Sequence, residues 1–181
     1  KGITALIGQL NREYEQVKFE MGKSLSYLGI HVSLEKLGIR LSMEAYVDSV
    51  LEAHPPIGKA RRRYGCPGGE NFFETSDGAP PLEKHRAERF HSIVAKLLYV
   101  SMRVLPHISV AVSFLTTRVS EPTQEDEAKL ERVLGYLSTV KGQGVLLPRS
   151  GVIRLRAWID AAFALHHSGA SHSGCVIMLD N

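Results

Sequence analysis

Apolar residues at Ile3, Leu6, Ile7, Leu10, Tyr14 and Val17 recur every three to four positions, a spacing that predicts a helix over residues 3–20. Leu25-Ser26-Tyr27-Leu28-Gly29-Ile30-His31-Val32 is rich in β-branched and aromatic residues, and Ile39-Arg40-Leu41 alternates apolar and polar positions. Together they predict a β-hairpin with strands near 25–33 and 38–42. Ser42 is a suitable N-cap for a helix that places Met43, Tyr46, Val47, Val50 and Leu51 on one face. Pro55-Pro56 ends that helix, because proline lacks the N–H and its predecessor avoids the α region.

Residues 55–85 change character. Pro, Gly, Asn, Ser and Asp cluster in Cys66-Pro67-Gly68-Gly69-Glu70-Asn71 and Ser76-Asp77-Gly78-Ala79-Pro80-Pro81, which reads as a connecting segment. Three helices are predicted after it. The first covers about 85–104, with Phe90, Ile93, Val94, Leu97 and Leu98 on its stripe, and stops at Pro106. The second covers about 107–118, with Ile108, Ala111, Val112 and Leu115 together. The third covers about 123–140. It opens on a capping-box pattern at Thr123 and Asp126, carries Glu125, Asp126 and Glu127 where the helix dipole favours anions, and turns Leu130, Val133, Leu134 and Leu137 inward. Gly142 and Gly144 close it. The remainder is β: a short Val145-Leu146-Leu147, then Val152 to Asp160. In that second stretch Ile153, Leu155, Ala157 and Ile159 oppose Arg154, Arg156, Trp158 and Asp160. Across the turn region His166–Gly174, Cys175-Val176-Ile177-Met178-Leu179 is expected to pair antiparallel with it. The fold class expected is α+β.

Composition adds limits. A chain of 181 residues suits one ordinary domain or two small ones, and 44% hydrophobic with 23% charged residues is an ordinary globular balance. No apolar run approaches the length of a membrane span. Lys1-Gly2-Ile3 does not open a signal peptide and lacks an initiator Met, as expected of a fragment or processed chain. A net charge of +3 and a pI near 8.9 accommodate a nucleic-acid partner without requiring one. Cys66 and Cys175 form no CxxC pattern. A reducing compartment is the simplest reading, with a disulfide left open.

Several of these pieces resemble copia-type LTR retrotransposon Pol polyproteins. Leu25-Ser26-Tyr27-Leu28-Gly29-Ile30, Ile39-Arg40-Leu41-Ser42 and Tyr46-Val47 resemble the "YLGI" and "I-x-L-S/T-Q" strands and the helix after the polymerase active site. The run from Phe90 to Tyr99 is similar to the "Y/F-x-S-x-V-G/A-x-L-L-Y" helix. Leu105-Pro106-His107-Ile108 stands where the family has "R-P-D-I". Leu115-Thr116-Thr117-Arg118 and the run from Arg132 to Val140 resemble the stretch that includes the "R-V-L-R-Y-L-K-G-T" helix. Trp158-Ile159-Asp160-Ala161-Ala162-Phe163 and Ser171-His172-Ser173-Gly174 resemble the opening of its RNase H domain. The pieces keep the family's order over nearly the whole chain. Leu105 and His107 depart from it by replacing an Arg and an Asp.

The resemblance implies an organisation. Residues 1–54 would be the end of a reverse transcriptase palm with a primer-grip-like hairpin, and 55–85 a linker. Residues 86–147 would be thumb and connection helices, and 148–181 the first strands of a truncated RNase H-like sheet. It implies a parent with RNA-directed DNA polymerase and ribonuclease H activities, Mg²⁺ as its cofactor, and an RNA–DNA hybrid or primer-template and the rest of Pol as partners. Localisation would be cytoplasmic, in virus-like particles, and nuclear. It also implies that Asp160 is the first RNase H carboxylate, a metal ligand in an incomplete site. The polymerase Tyr-x-Asp-Asp turn, whose carboxylates hold two metals, is absent. Tyr46-Val47-Asp48-Ser49 falls on a helical pattern and is rejected as a copy of it. The chain alone is therefore expected to be inactive. The alternative is a domesticated, non-catalytic binding or scaffold module.

On the residues themselves, Lys59, Arg61, Arg62 and Arg63 beside Tyr64 are the phosphate-binding candidates, although a charge run in a loop is more often merely solvated. His166, His167 and His172 lack a fourth ligand and the usual zinc spacing. A lone Asp on a strand is ordinarily solvated, and a sheet stopping after two strands leaves open edges prone to pairing or aggregation.

Overall fold

The computed structural model describes residues 2–14, 16–56, 61–76, 78–149, 154–163, 169 and 171–180, with the backbone alone at His172, Leu179 and Asp180. It is mixed α and β: five α-helices and two antiparallel sheets among the described residues. Helix α1 spans Gly2–Glu13, shorter than the apolar spacing predicts, and buries none of its residues. Past it the Asn11 side chain accepts the Val17 N–H at 2.9 Å, and the chain runs on without helix.

The expected two-stranded hairpin is a three-stranded meander. β1 is Ser24–Tyr27, β2 is Ile30–Leu34 and β3 is Gly38–Ser42. The strand expected over 25–33 folds back at Leu28-Gly29, where φ is +49° and +77°. Positive φ at both central residues is the geometry of a two-residue turn that matches the right-handed twist of its flanking strands. The Tyr99 hydroxyl donates to the Leu28 carbonyl at 2.8 Å and fixes the turn against a helix. A fourth strand, β4 (Gly144–Pro148), comes from about a hundred residues later and pairs antiparallel with β3, from Gly38↔Pro148 to Ser42↔Gly144.

Helix α2 is Glu44–Ala53. Its N-cap is Met43, without a side-chain cap bond, rather than Ser42, which ends β3. Tyr46-Val47-Asp48-Ser49 lies within this helix. Val47 is fully buried, and Asp48 accepts from Lys141 Nζ at 2.7 Å. Helix α3 (Lys84–Arg103) leads through a single 3-10 turn at Pro106–Ile108 to α4 (Ser109–Thr116), and α5 is Gln124–Val140. The expected capping box is present: the Asp126 N–H donates to Thr123 Oγ1 at 3.3 Å, and the Thr123 N–H donates to Asp126 Oδ2 at 2.9 Å.

One core joins α2 to these helices: Met43, Val47 and Val50 pack with Phe90, Leu97, Ile108, Leu115 and Leu134. The expected stripes of α3, α4 and α5 are buried with one exchange, while Tyr46 and Leu51 of α2 are half-buried. Leu98 stays 37% exposed, and Val100, two positions on, is fully buried in its place. Leu105 is also in the core, and His107 meets the Tyr136 ring edge-on at 5.6 Å.

The connecting segment is docked rather than free. Phe72 is buried beside Phe114, with ring centroids 5.7 Å apart. The Leu82 N–H donates to the Pro122 carbonyl, and the Gln124 N–H to that of Pro80, both at 2.9 Å. Strands β5 (Arg154–Ala162) and β6 (His172–Asp180) form a separate antiparallel pair, with Ile159 opposite Cys175 and Asp160 opposite Gly174. The alternation in 152–160 predicts one buried face. Leu155, Trp158, Ile159, Val176, Ile177 and Met178 are instead all more than half exposed.

Candidate nucleic-acid surface

The basic cluster divides once folded. Lys59 lies outside the described residues. Arg61 turns inward: its guanidinium pairs with Glu131 of α5 at 3.2 Å, donates to the His54 carbonyl, and is only 11% exposed. Burial lowers its pKa from the ordinary arginine value, with Arg89 adding to the effect and Glu131 opposing it, yet a guanidinium stays charged throughout the physiological range. The same burial raises the Glu131 carboxyl, against the pull of Arg61 and Arg89. Arg62 and Arg63 are exposed.

What holds this stretch in place is a residue pair that sequence reasoning missed. Arg132 of α5 sets its guanidinium over the Tyr64 ring, 4.5 Å from the centroid, and donates from Nε to the Gly68 carbonyl at 2.8 Å. The Arg62 guanidinium approaches the same ring at 5.2 Å. The backbone crosses α5 at Gly135. A Cβ there would collide with the Arg62 carbonyl and come within 2.7 Å of Tyr64 Cδ2. Gly135 was the available signal, since an isolated glycine inside a helical pattern often marks a close backbone approach.

Asp160 stands elsewhere, exposed on β5, with its Oδ1 accepting the Ala161 N–H at 2.9 Å. It lines a groove of about 800 Å³ between the α3–α4 corner and the β5–β6 pair, together with Met102, Val110 and Trp158. Among the described residues no three acidic, histidine or cysteine side chains gather to hold a metal. His166 and His167 lie outside the described residues. Both cysteines are free and exposed, and among the described residues no helix is long and apolar enough to cross a membrane. The structure thus sets Arg61 and Arg62 against α5 with Arg63 exposed next to them in the chain, and leaves Asp160 on β5.

Comparison with known proteins supplies the relationship. The chain is 26% identical over 140 residues to the retrovirus-related Pol polyprotein from transposon RE1 of Arabidopsis thaliana, an alignment covering 76% of this chain. The chain is similar to a retrotransposon Pol protein. A second relative, an uncharacterized mitochondrial protein of the same plant, is 25% identical over 162 residues, or 90% of this chain. The Pol-like chain spans 64% of the length of that protein and 9% of the polyprotein. No protein-family model matches it, and no solved structure does.

Proposed function

We propose that this Pol-like chain is a reverse transcriptase segment of copia type that grips an RNA–DNA template-primer duplex and is catalytically incomplete by itself. The observation that carries the reading is the alignment with a transposon Pol polyprotein over 76% of the chain. In support, Arg62 and Arg63 are exposed on a segment held firmly to α5, so they would meet phosphates without first ordering a loose loop. The meander β1–β3 would be the primer-grip element, and α3, α4 and α5 the thumb. Asp160 would be the first carboxylate of an RNase H site whose other ligands and Mg²⁺ belong to the parent protein. The parent's compartments would be the virus-like particle and the nucleus.

The test is fluorescence anisotropy of a labelled RNA–DNA hybrid with the full chain across a salt series, beside an Arg62→Ala/Arg63→Ala variant. Arg61 is left intact because its loss would strand Glu131 half-buried without a partner. Binding that weakens with salt is expected. The log–log slope should be shallower in the variant by roughly 0.9 for each phosphate it leaves unneutralised, the value for B-form duplex.

The internal placement of Arg61 favours a second reading, a non-catalytic scaffold module of transposon origin, because it leaves the cluster fewer outward cations. A folded chain that binds no hybrid at low salt would establish that reading over the first.

A further inference from the structure

His54, at the C-terminal end of α2, is buried to 8% exposure, and its Nε2 lies 3.2 Å from the Lys96 Nζ of α3. An ammonium has only donors, so Nε2 accepts and the ring is neutral, with its proton on Nδ1. The charged groups around it come from every element packed there. Lys96 and Arg89 face it from α3, and Arg61 from the connecting segment. The anion nearby, Glu131 of α5, pairs with Arg61 rather than with the ring. The backbone at this residue is also an anchor. The His54 carbonyl accepts from Arg61, and the Pro55 carbonyl accepts from Arg89 at 2.9 Å.

We propose that His54 is an acid-sensitive latch whose protonation releases the His54–Pro55 end of the arginine-bearing segment from α3, while the Arg132–Tyr64 contact keeps the rest of it on α5. A second positive charge at Nε2 would replace an accepted hydrogen bond with two cations 3.2 Å apart, beside Arg61 and Arg89. The latch opens as residues 54 and 55 move away from Lys96, which withdraws the carbonyls that seat Arg61 and Arg89. The direction agrees with the ring's surroundings, since burial first, then Lys96, Arg89 and Arg61, hold its pKa below the ordinary value of 6.5. A histidine held down in this way favours the seated state above that ordinary value. The preference is lost as pH falls from there through the lowered one.

A fluorophore on Pro55→Cys, in the full chain carrying Cys66→Ser and Cys175→Ser, reports the latch directly because Pro55 is exposed and adjoins His54. Its anisotropy is expected to fall on acidification with a midpoint below 6.5, while far-UV circular dichroism stays constant. His54→Gln keeps an acceptor for Lys96 and leaves Glu131 untouched, so the fall should vanish. Lys96→Gln removes the nearest like charge, so the midpoint should rise towards 6.5. The proposal is overturned by no fall in the parent, by the same fall in His54→Gln, by an unmoved midpoint in Lys96→Gln, or by loss of helical signal over the same range. Because the readout needs no nucleic acid, its result stands apart from that of the hybrid titration.

Discussion

Two residues in this chain have their roles set by what crosses over them. In an open helix, replacing glycine by alanine adds about 1 kcal/mol of stability. At Gly135 the sign should reverse, because the new methyl would meet the Arg62 carbonyl and the Tyr64 ring, and overpacking of this kind costs roughly 1–3 kcal/mol. Gly135→Ala is therefore expected to lower the urea midpoint, and an unchanged or higher midpoint would contradict the crossing. Arg61 teaches the same lesson with charge. Four basic residues in five positions read as one patch, and nothing local distinguishes the inward one, because its partner Glu131 is seventy residues away. Residue identity exposed the cluster. Only the tertiary fold could divide it.

At the scale of elements, periodic helices were the legible part. The stripes of α3 and α5 and the Thr123–Asp126 capping box follow directly from spacing, since an amphipathic helix carries its own register. Strand boundaries were less readable. Leu28 is an unusual residue for positive φ, so the turn within "YLGI" had no Asn-Gly signature to announce it. β4 could not be assigned to its sheet, because strand pairing depends on a partner remote in sequence. That pairing makes a sharp prediction at Gly38, where φ is +157° and a Cβ would run into the Leu147 carbonyl. Gly38→Ala should destabilise the fold by roughly 1–3 kcal/mol, the cost of local overpacking. Gly65→Ala, with open space around its Cβ, should change little. Equal urea midpoints for the two variants would argue against the β3–β4 register.

For the whole molecule, every buried hydrophobic residue among those described lies between Met43 and Val140, while the described parts of α1 and the β5–β6 pair contribute none. A chain cut after Arg149 should then melt at nearly the temperature of the full chain, as followed by circular dichroism. A drop of many degrees would mean that the terminal pair shares in the core. Its exposed apolar residues explain why alternation misled: a period of two identifies a face able to be buried, and burial itself requires a covering layer. The candidate surface was partly legible in the same way, with Arg62 and Arg63 visible from sequence but the inward turn of Arg61 and the Arg132–Tyr64 support invisible to it.

The β3–β4 ladder also dictates an order of events. Its two strands are separated by the whole helical body, so closing it carries the entropy of a long loop, whereas the helices and the β1–β3 meander need only neighbouring residues. During synthesis β3 is therefore expected to keep one edge unpaired until residue 148 emerges, with the sheet completed after the helices bring its two ends together.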